Sequence, residues 1–136
     1  MNDKRIIFMG TPFIASQYLQ TLINNNVNII CVYTQPPRSK GRGMIVQRSP
    51  VHELALKNNI PVYFPDNFND KKIIYQFVNL KSDITIVMAY GNLLPQEILD
   101  APKKGCINIH LSLLPRWRGA APIEHSLLNG DKKTGV

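Results

Sequence analysis

The chain has little cysteine: only Cys31 and Cys106, neither in a CxxC pair nor at ligand spacing from a histidine. A disulfide framework and a zinc site therefore have no basis in the sequence, and both thiols, lying in apolar runs, read as buried and reduced. Acidic residues are also scarce, 9 against 16 lysines and arginines, for a net charge of +7. That imbalance favours a polyanionic partner without naming it. No stretch approaches the ~18 to 20 apolar residues needed to cross a bilayer, and the opening MNDKRIIFMG turns apolar only briefly. A cytoplasmic protein with no membrane partner is expected. Glycine is sparse where a nucleotide fold would need it. Gly10, Thr11 and Pro12 follow the first apolar run, but one glycine makes neither GxGxxG nor a P-loop, which argues against nicotinamide and ATP.

What is present is an alternation of apolar runs and helix-like segments, with no internal repeat or low-complexity tract. At 136 residues and 44% hydrophobic content the chain suffices for one domain with a real core. Strands are expected at residues 4–9, 27–33, 61–64 and 83–89, and another around residues 107–112. Helices are expected from Pro12 to about Ile23, from Pro50 after a Ser49 cap to Asn58 and Asn59, over residues 70–80, and from near Pro95. The first two strands are not polar-alternating, as in sheets covered on both faces. The fold class is α/β: a Rossmann-like, mostly parallel sheet with helices on both faces. The expected strand order is the doubly wound 3-2-1-4-5, connected by right-handed crossovers, with a histidine, His110, at the carboxyl edge of the fifth.

Three segments carry candidate chemistry. In CINIHLSLLPRWRGAAP, Asn108, His110 and Ser112 alternate, so an extended strand would bury Ile107, Ile109 and Leu111 and turn the polar three to one face. A histidine at a strand end is commonly structural, but this one sits between an amide and a hydroxyl and before a basic, glycine-containing loop. In RSKGRGMIVQR, Arg38, Lys40, Arg42 and Arg48 occur with no acidic residue, and Gly41 and Gly43 flank Arg42. Such a loop can contact phosphates, and four engaged cations would give a salt slope of roughly −3 to −4; a merely solvated basic loop is the alternative. In AYGNLLP, a strand end and Gly91 precede an apolar turn, either an ordinary entry to a helix or a place where backbone groups bind a flat heterocycle.

The order Asn-x-His-x-Ser followed by LLPRWRGAAP resembles the signature of the folate-dependent formyltransferases, in particular the methionyl-tRNA formyltransferases. The resemblance implies formyl transfer from 10-formyltetrahydrofolate, the donor substrate, to methionyl-initiator tRNA in translation initiation, without a metal, by a protein monomeric when complete. It implies catalytic roles for Asn108 and His110. Folate contact falls to Tyr90, Gly91, Leu93, Leu94, Ser112, Leu113, Leu114 and Pro115, and tRNA contact to Arg38, Lys40, Arg42, Arg48, Arg116 and Arg118. Trp117 either faces the tRNA or packs. Sugar-nucleotide and glycinamide ribonucleotide formyltransferases share the Asn, His and SLLP pattern, and the basic GRG loop favours the tRNA acceptor. From a different class, the alternative is a non-catalytic remnant or tRNA/folate-binding module.

Departures accompany the resemblance. The family's catalytic aspartate, in a GLDTG-like segment, would fall beyond Val136, as would later strands and a C-terminal β-barrel domain. Residues 1–136 are accordingly expected to be an incomplete catalytic domain whose far sheet edge is exposed and prone to association. Asp131 lies in an NGD turn and is not expected to replace that aspartate. Phe13 stands where the family usually has an acidic residue.

Overall fold

The computed structural model describes residues 3–136. Its elements run β1 (Ile6–Gly10), α1 (Phe13–Asn24), β2 (Ile29–Tyr33), β3 (Arg38–Lys40), β4 (Ile45–Gln47), α2 (Pro50–Lys57), β5 (Val62–Tyr63), α3 (Lys71–Asn79), β6 (Ile84–Met88), α4 (Gln96–Asp100), β7 (Cys106–Asn108) and α5 (Pro122–Leu128). Five strands form one sheet, β5-β2-β1-β6-β7, with every neighbouring pair parallel. This is the strand order expected from the sequence.

The centre of the sheet follows from residue type. All five residues of β1 are buried, as its unbroken apolar run predicts. Alternation then divides them: Ile7 and Met9 pack with Phe77 of α3 and Ile98 of α4, whereas Phe8 packs with Ala15 and Leu19 of α1 and Val51 and Ala55 of α2. The sheet thus has two cores, one on each face. At the end of β1, Gly10 is required by close approach, since a Cβ there would lie 2.8 Å from the Met88 carbonyl oxygen and 2.9 Å from the Ala15 Cβ.

Helix punctuation largely matches the sequence. Ser49 caps α2 by accepting from the His52 N–H at 3.0 Å, Pro50 is its first residue, and Asn58 and Asn59 follow its end. Asp70 caps α3 through the Lys72 N–H at 2.8 Å. Pro12, expected inside the first turn, is instead the extended residue before α1.

Other details differ from expectation. The basic segment is an antiparallel hairpin rather than a plain loop, with Arg38 opposite Gln47 and Lys40 opposite Ile45, turning through Gly41 and Gly43 at positive φ. The last strand ends at Asn108 instead of continuing to Ser112. Ile107 is 54% exposed, not buried, because β7 is the edge strand and Ile107 joins neither core. Ile109 and Leu111 do pack on the α1–α2 side, partly buried. Cys31 is buried, but Cys106 at the edge is only half-buried, its thiol turned to the Ile98 and Leu99 carbonyls at 3.8 and 3.7 Å.

Candidate active site

Because the five strands are parallel, their carboxyl ends share one edge, and the loops leaving it carry the candidate residues. The chain turns opposite ways from β1 towards β2 and β6, a topological switch point at which such sheets open a crevice. There the Thr11 hydroxyl donates to the Tyr90 carbonyl at 2.8 Å and accepts from the Gln35 N–H at 3.2 Å. The Gln35 amide donates to Asn92 Oδ1 at 2.6 Å, while its oxygen accepts from Arg38 at 2.8 Å. Gly91 has φ +93°, and a Cβ on it would come within 3.1 Å of the Gln35 amide nitrogen. A cavity of about 350 Å³ opens beside this network, lined by Thr11, Gln35, Arg38 and Lys40 among others. Another, of about 380 Å³, lies against Phe68, Asn92, Leu93 and Leu94.

Tyr90 cannot offer its ring to a ligand at this edge. The ring is buried in the α3–α4 core, 6.3 Å from that of Phe68, and burial pushes the phenol up to about 12. Its backbone carbonyl is the group that reaches the edge network. Leu93, by contrast, is 95% exposed beside Gly91.

At the β7 exit, Asn108 ends the strand with an exposed side chain, and the Ile109 N–H continues the ladder to the Val87 carbonyl at 2.8 Å. Asn108, His110 and Ser112 do not share the strand face their spacing predicts. The strand ends at Asn108, the chain bends from Leu111, and Ser112, only 1% exposed, folds against the histidine. His110 Nδ1 lies 2.8 Å from Ser112 Oγ, which donates at 2.7 Å to the Arg116 carbonyl. Nε2 lies 3.3 Å from the Gly119 carbonyl. Leu114, Pro115, Arg118 and Gly119 form an open cleft of about 520 Å³ with His110. Leu113 and Leu114 are more than half exposed, placing apolar surface beside the imidazole loop.

The cations expected to meet tRNA fall into two groups. Arg38 bonds Gln35, Arg48 pairs with Glu53 at 3.8 Å, and Arg116 is held by Asp131 through two hydrogen bonds of 2.9 and 2.7 Å. Lys40, Arg42 and Arg118 make no ion pair among the described residues. Trp117 packs: its ring stacks on His125 at 5.6 Å, lies 4.6 Å below the Arg116 guanidinium, and donates Nε1–H to Asp131 at 2.6 Å. These bonds, with one from Asn129, hold the Asp131 carboxyl well below the usual carboxylate range. Trp117 itself sits at φ +56°, a left-handed conformation that costs a side-chain-bearing residue roughly 1–2 kcal/mol and persists where its surroundings fix it.

Thr11, Gln35, Asn92 and Asp131 were not among the candidates chosen from the sequence. Position at the end of a predicted parallel strand was an available signal for Thr11 and Gln35; nothing local marks Asp131 as the acceptor of four hydrogen bonds. Among the described residues no group of three or more His, Cys, Asp or Glu side chains gathers as a metal site, and no helix is long and apolar enough to cross a membrane.

Residues 4–136 match the family described as Formyl transferase. A methionyl-tRNA formyltransferase from Clostridioides difficile is 53% identical over 132 residues, 97% of this chain and 43% of that protein. A phosphoribosylglycinamide formyltransferase from Bacillus halodurans has a similar structure, with a TM-score of 0.74 at 22% identity over 96% of this chain and 68% of its own. A formyltetrahydrofolate deformylase from Pseudomonas syringae gives 0.69 at 21% identity over 96% and 43%. At such identities the structural likeness establishes the shared fold, and the chain spans less than half the length of the curated relative it matches.

Proposed function

We propose, on the premise that this chain belongs to the formyl transferase family, that it serves transfer of a formyl group from 10-formyltetrahydrofolate to the amino group of methionyl-initiator tRNA. The observation that carries this reading is the β7 exit, where an exposed amide, Asn108, stands two residues before an imidazole, His110, that lines an open cleft. An α-amino group titrates at roughly 7.7 to 8.0, so part of the acceptor is already a free base near neutral pH. Its nitrogen attacks the formyl carbon, forming a new C–N bond and a tetrahedral oxyanion. Collapse breaks the bond from that carbon to the folate nitrogen, which takes up a proton as the acceptor amine loses one.

Asn108 can donate its amide N–H to the oxyanion, and removing such a donor commonly costs ~10² to 10³ in rate. His110 can carry the amine proton, a role typically contributing ~10² to 10⁴. For the donor, the cavity at Gly91, Leu93 and Leu94 and the apolar Leu113, Leu114 and Pro115 supply surface for a flat ring, with buried Ser112 acting through His110. Identity to a methionyl-tRNA formyltransferase and the exposed cations of the β3–β4 hairpin favour tRNA over glycinamide ribonucleotide as acceptor.

The test is formyl transfer from 10-formyltetrahydrofolate to methionyl-initiator tRNA by this chain and by a version continued with the segment that follows in its relatives. Transfer falling at least ~10²-fold in His110→Ala supports the reading. Transfer that survives His110→Ala overturns the histidine's role, and preference for glycinamide ribonucleotide overturns the acceptor. Binding of tRNA or folate with no transfer by either version would support a binding module instead.

A further inference from the structure

The ring nitrogens of His110 face unequal partners. A carbonyl oxygen can only accept, so the 2.7 Å contact between Ser112 Oγ and the Arg116 carbonyl consumes the single hydroxyl proton of Ser112. Its oxygen can then only accept from His110 Nδ1 at 2.8 Å, and the proton of the neutral ring belongs on Nδ1. Nε2 faces a second pure acceptor, the Gly119 carbonyl, at the longer distance of 3.3 Å, so the shorter Ser112 contact keeps the single proton of the neutral ring and both contacts are satisfied only when the ring takes up a second proton.

This relay depends on where the Arg116 carbonyl points, and that is set by a residue outside it. Asp131 gathers Arg116 Nε and Nη2, Trp117 Nε1 and Asn129 Nδ2 at 2.6 to 2.9 Å. Its own backbone N–H is tied to the Ser126 carbonyl at the end of α5 at 3.0 Å. The carboxylate thus fastens the turn bearing Arg116 and left-handed Trp117 to a helix.

We propose that Asp131 is a positioning residue for His110: by clamping Arg116 and Trp117 it aims the Arg116 carbonyl at Ser112, fixing the neutral imidazole as its Nδ1–H tautomer and leaving Nε2, against the Gly119 carbonyl, as the nitrogen that takes up a proton at the cleft. This rests on the reading of His110 as the working imidazole, but the ring's own proton can be observed without turnover.

The experiment is ring-nitrogen NMR of the 136-residue chain labelled with ¹⁵N-histidine, at a pH where imidazole is neutral, with His110→Gln used to assign the signals. The expected result is one His110 tautomer with Nδ1 protonated, lost to a mixture or to Nε2–H in Ser112→Ala and in Asp131→Ala. Emission of Trp117, the single tryptophan, should shift to the red in Asp131→Ala as the ring is released. Wild-type His110 protonated on Nε2 overturns the proposal, as does an unchanged tautomer in a folded Asp131→Ala. Should that variant not fold, Arg116→Ala opens the same clamp from its other end, and an unchanged tautomer there overturns the proposal equally. Failure of formyl transfer with the tautomer behaving as expected would count against the function alone.

Discussion

The β2–β1–β6 centre of the sheet and the β7 exit are neighbours, yet different forces hold them. Ile7, Phe8, Met9, Val32, Tyr33 and Met88 at the centre are 0% exposed and stabilise the fold through apolar area removed from water. In residues 106–136 the two buried residues are both serines, Ser112 and Ser126. Beyond Ile109 and Leu111, which pack partly buried on the α1–α2 core, order there comes from directed bonds: Asp131 with Arg116 and Trp117, and Ser112 with His110. Apolar burial tolerates small misplacements, whereas a hydrogen bond fails within a few tenths of an ångström. The centre is therefore suited to carrying stability and the exit to setting atoms in place.

The largest test of this contrast is Phe77→Ala. Phe77 lies edge-on to Tyr33 at 5.2 Å and to Phe68 at 6.4 Å, so truncation should cost about 3–5 kcal/mol of unfolding free energy in a urea titration. A cost near that of a surface change would show that the centre does not carry the fold.

A change of pH should separate the two regions by a smaller amount. His52 in α2 is buried with its Nδ1 unpartnered, and burial, aided by the Arg48 cation, lowers its proton affinity below that of a free histidine. Its folded pKa lies below the unfolded value of about 6.5, so no stability is lost above that pH. Below it the unfolded chain binds a proton the folded chain resists, and stability falls until the folded pKa is reached. The shift at Asp131 is also downward, so its contribution is complete above the unfolded aspartate value of about 3.9 and fades only in stronger acid. Between those two values the melting temperature should decline with acid, less so in His52→Gln, while Trp117 emission of the still-folded protein stays constant in a His125→Gln background, which removes the titratable ring stacked on the indole. Emission that moves in step with the melting temperature, at temperatures well below it, would contradict independent regions.

The smallest effect on stability is expected at the sheet edge. Ile107→Lys on β7 should change the unfolding free energy by no more than about 0.5 kcal/mol, because the side chain is 54% exposed. Sedimentation should at the same time show less self-association, since a charge blunts an open edge. A large loss of stability would mean that the exit, too, is built on buried apolar surface.

The centre was legible because burial leaves a mark on composition. Unbroken apolar runs gave β1 and β2, a β-branched run gave β6, Ser49-Pro50 gave the start of α2, and Asn58 and Asn59 its end. The hairpin was hidden because its three-residue strands are fully exposed and carry no alternation. Ile107 misled for a related reason: period-two reasoning assumes that something covers each face, and at an edge strand nothing need do so.

The sequence by itself determined the alternating α/β elements and the presence of Asn108 and His110 at the last carboxyl end, because hydrophobic period and local motif order are properties of neighbouring residues, and the strand order then followed from the doubly wound pattern such elements adopt. Only the tertiary structure decided that Tyr90 turns inward, that Ser112 supports the imidazole, and that Asp131 binds Arg116 fifteen positions before it. Those outcomes depend on where a turning backbone aims its donors and acceptors. Such directions are fixed when distant segments pack together, and they leave no periodic trace in the chain.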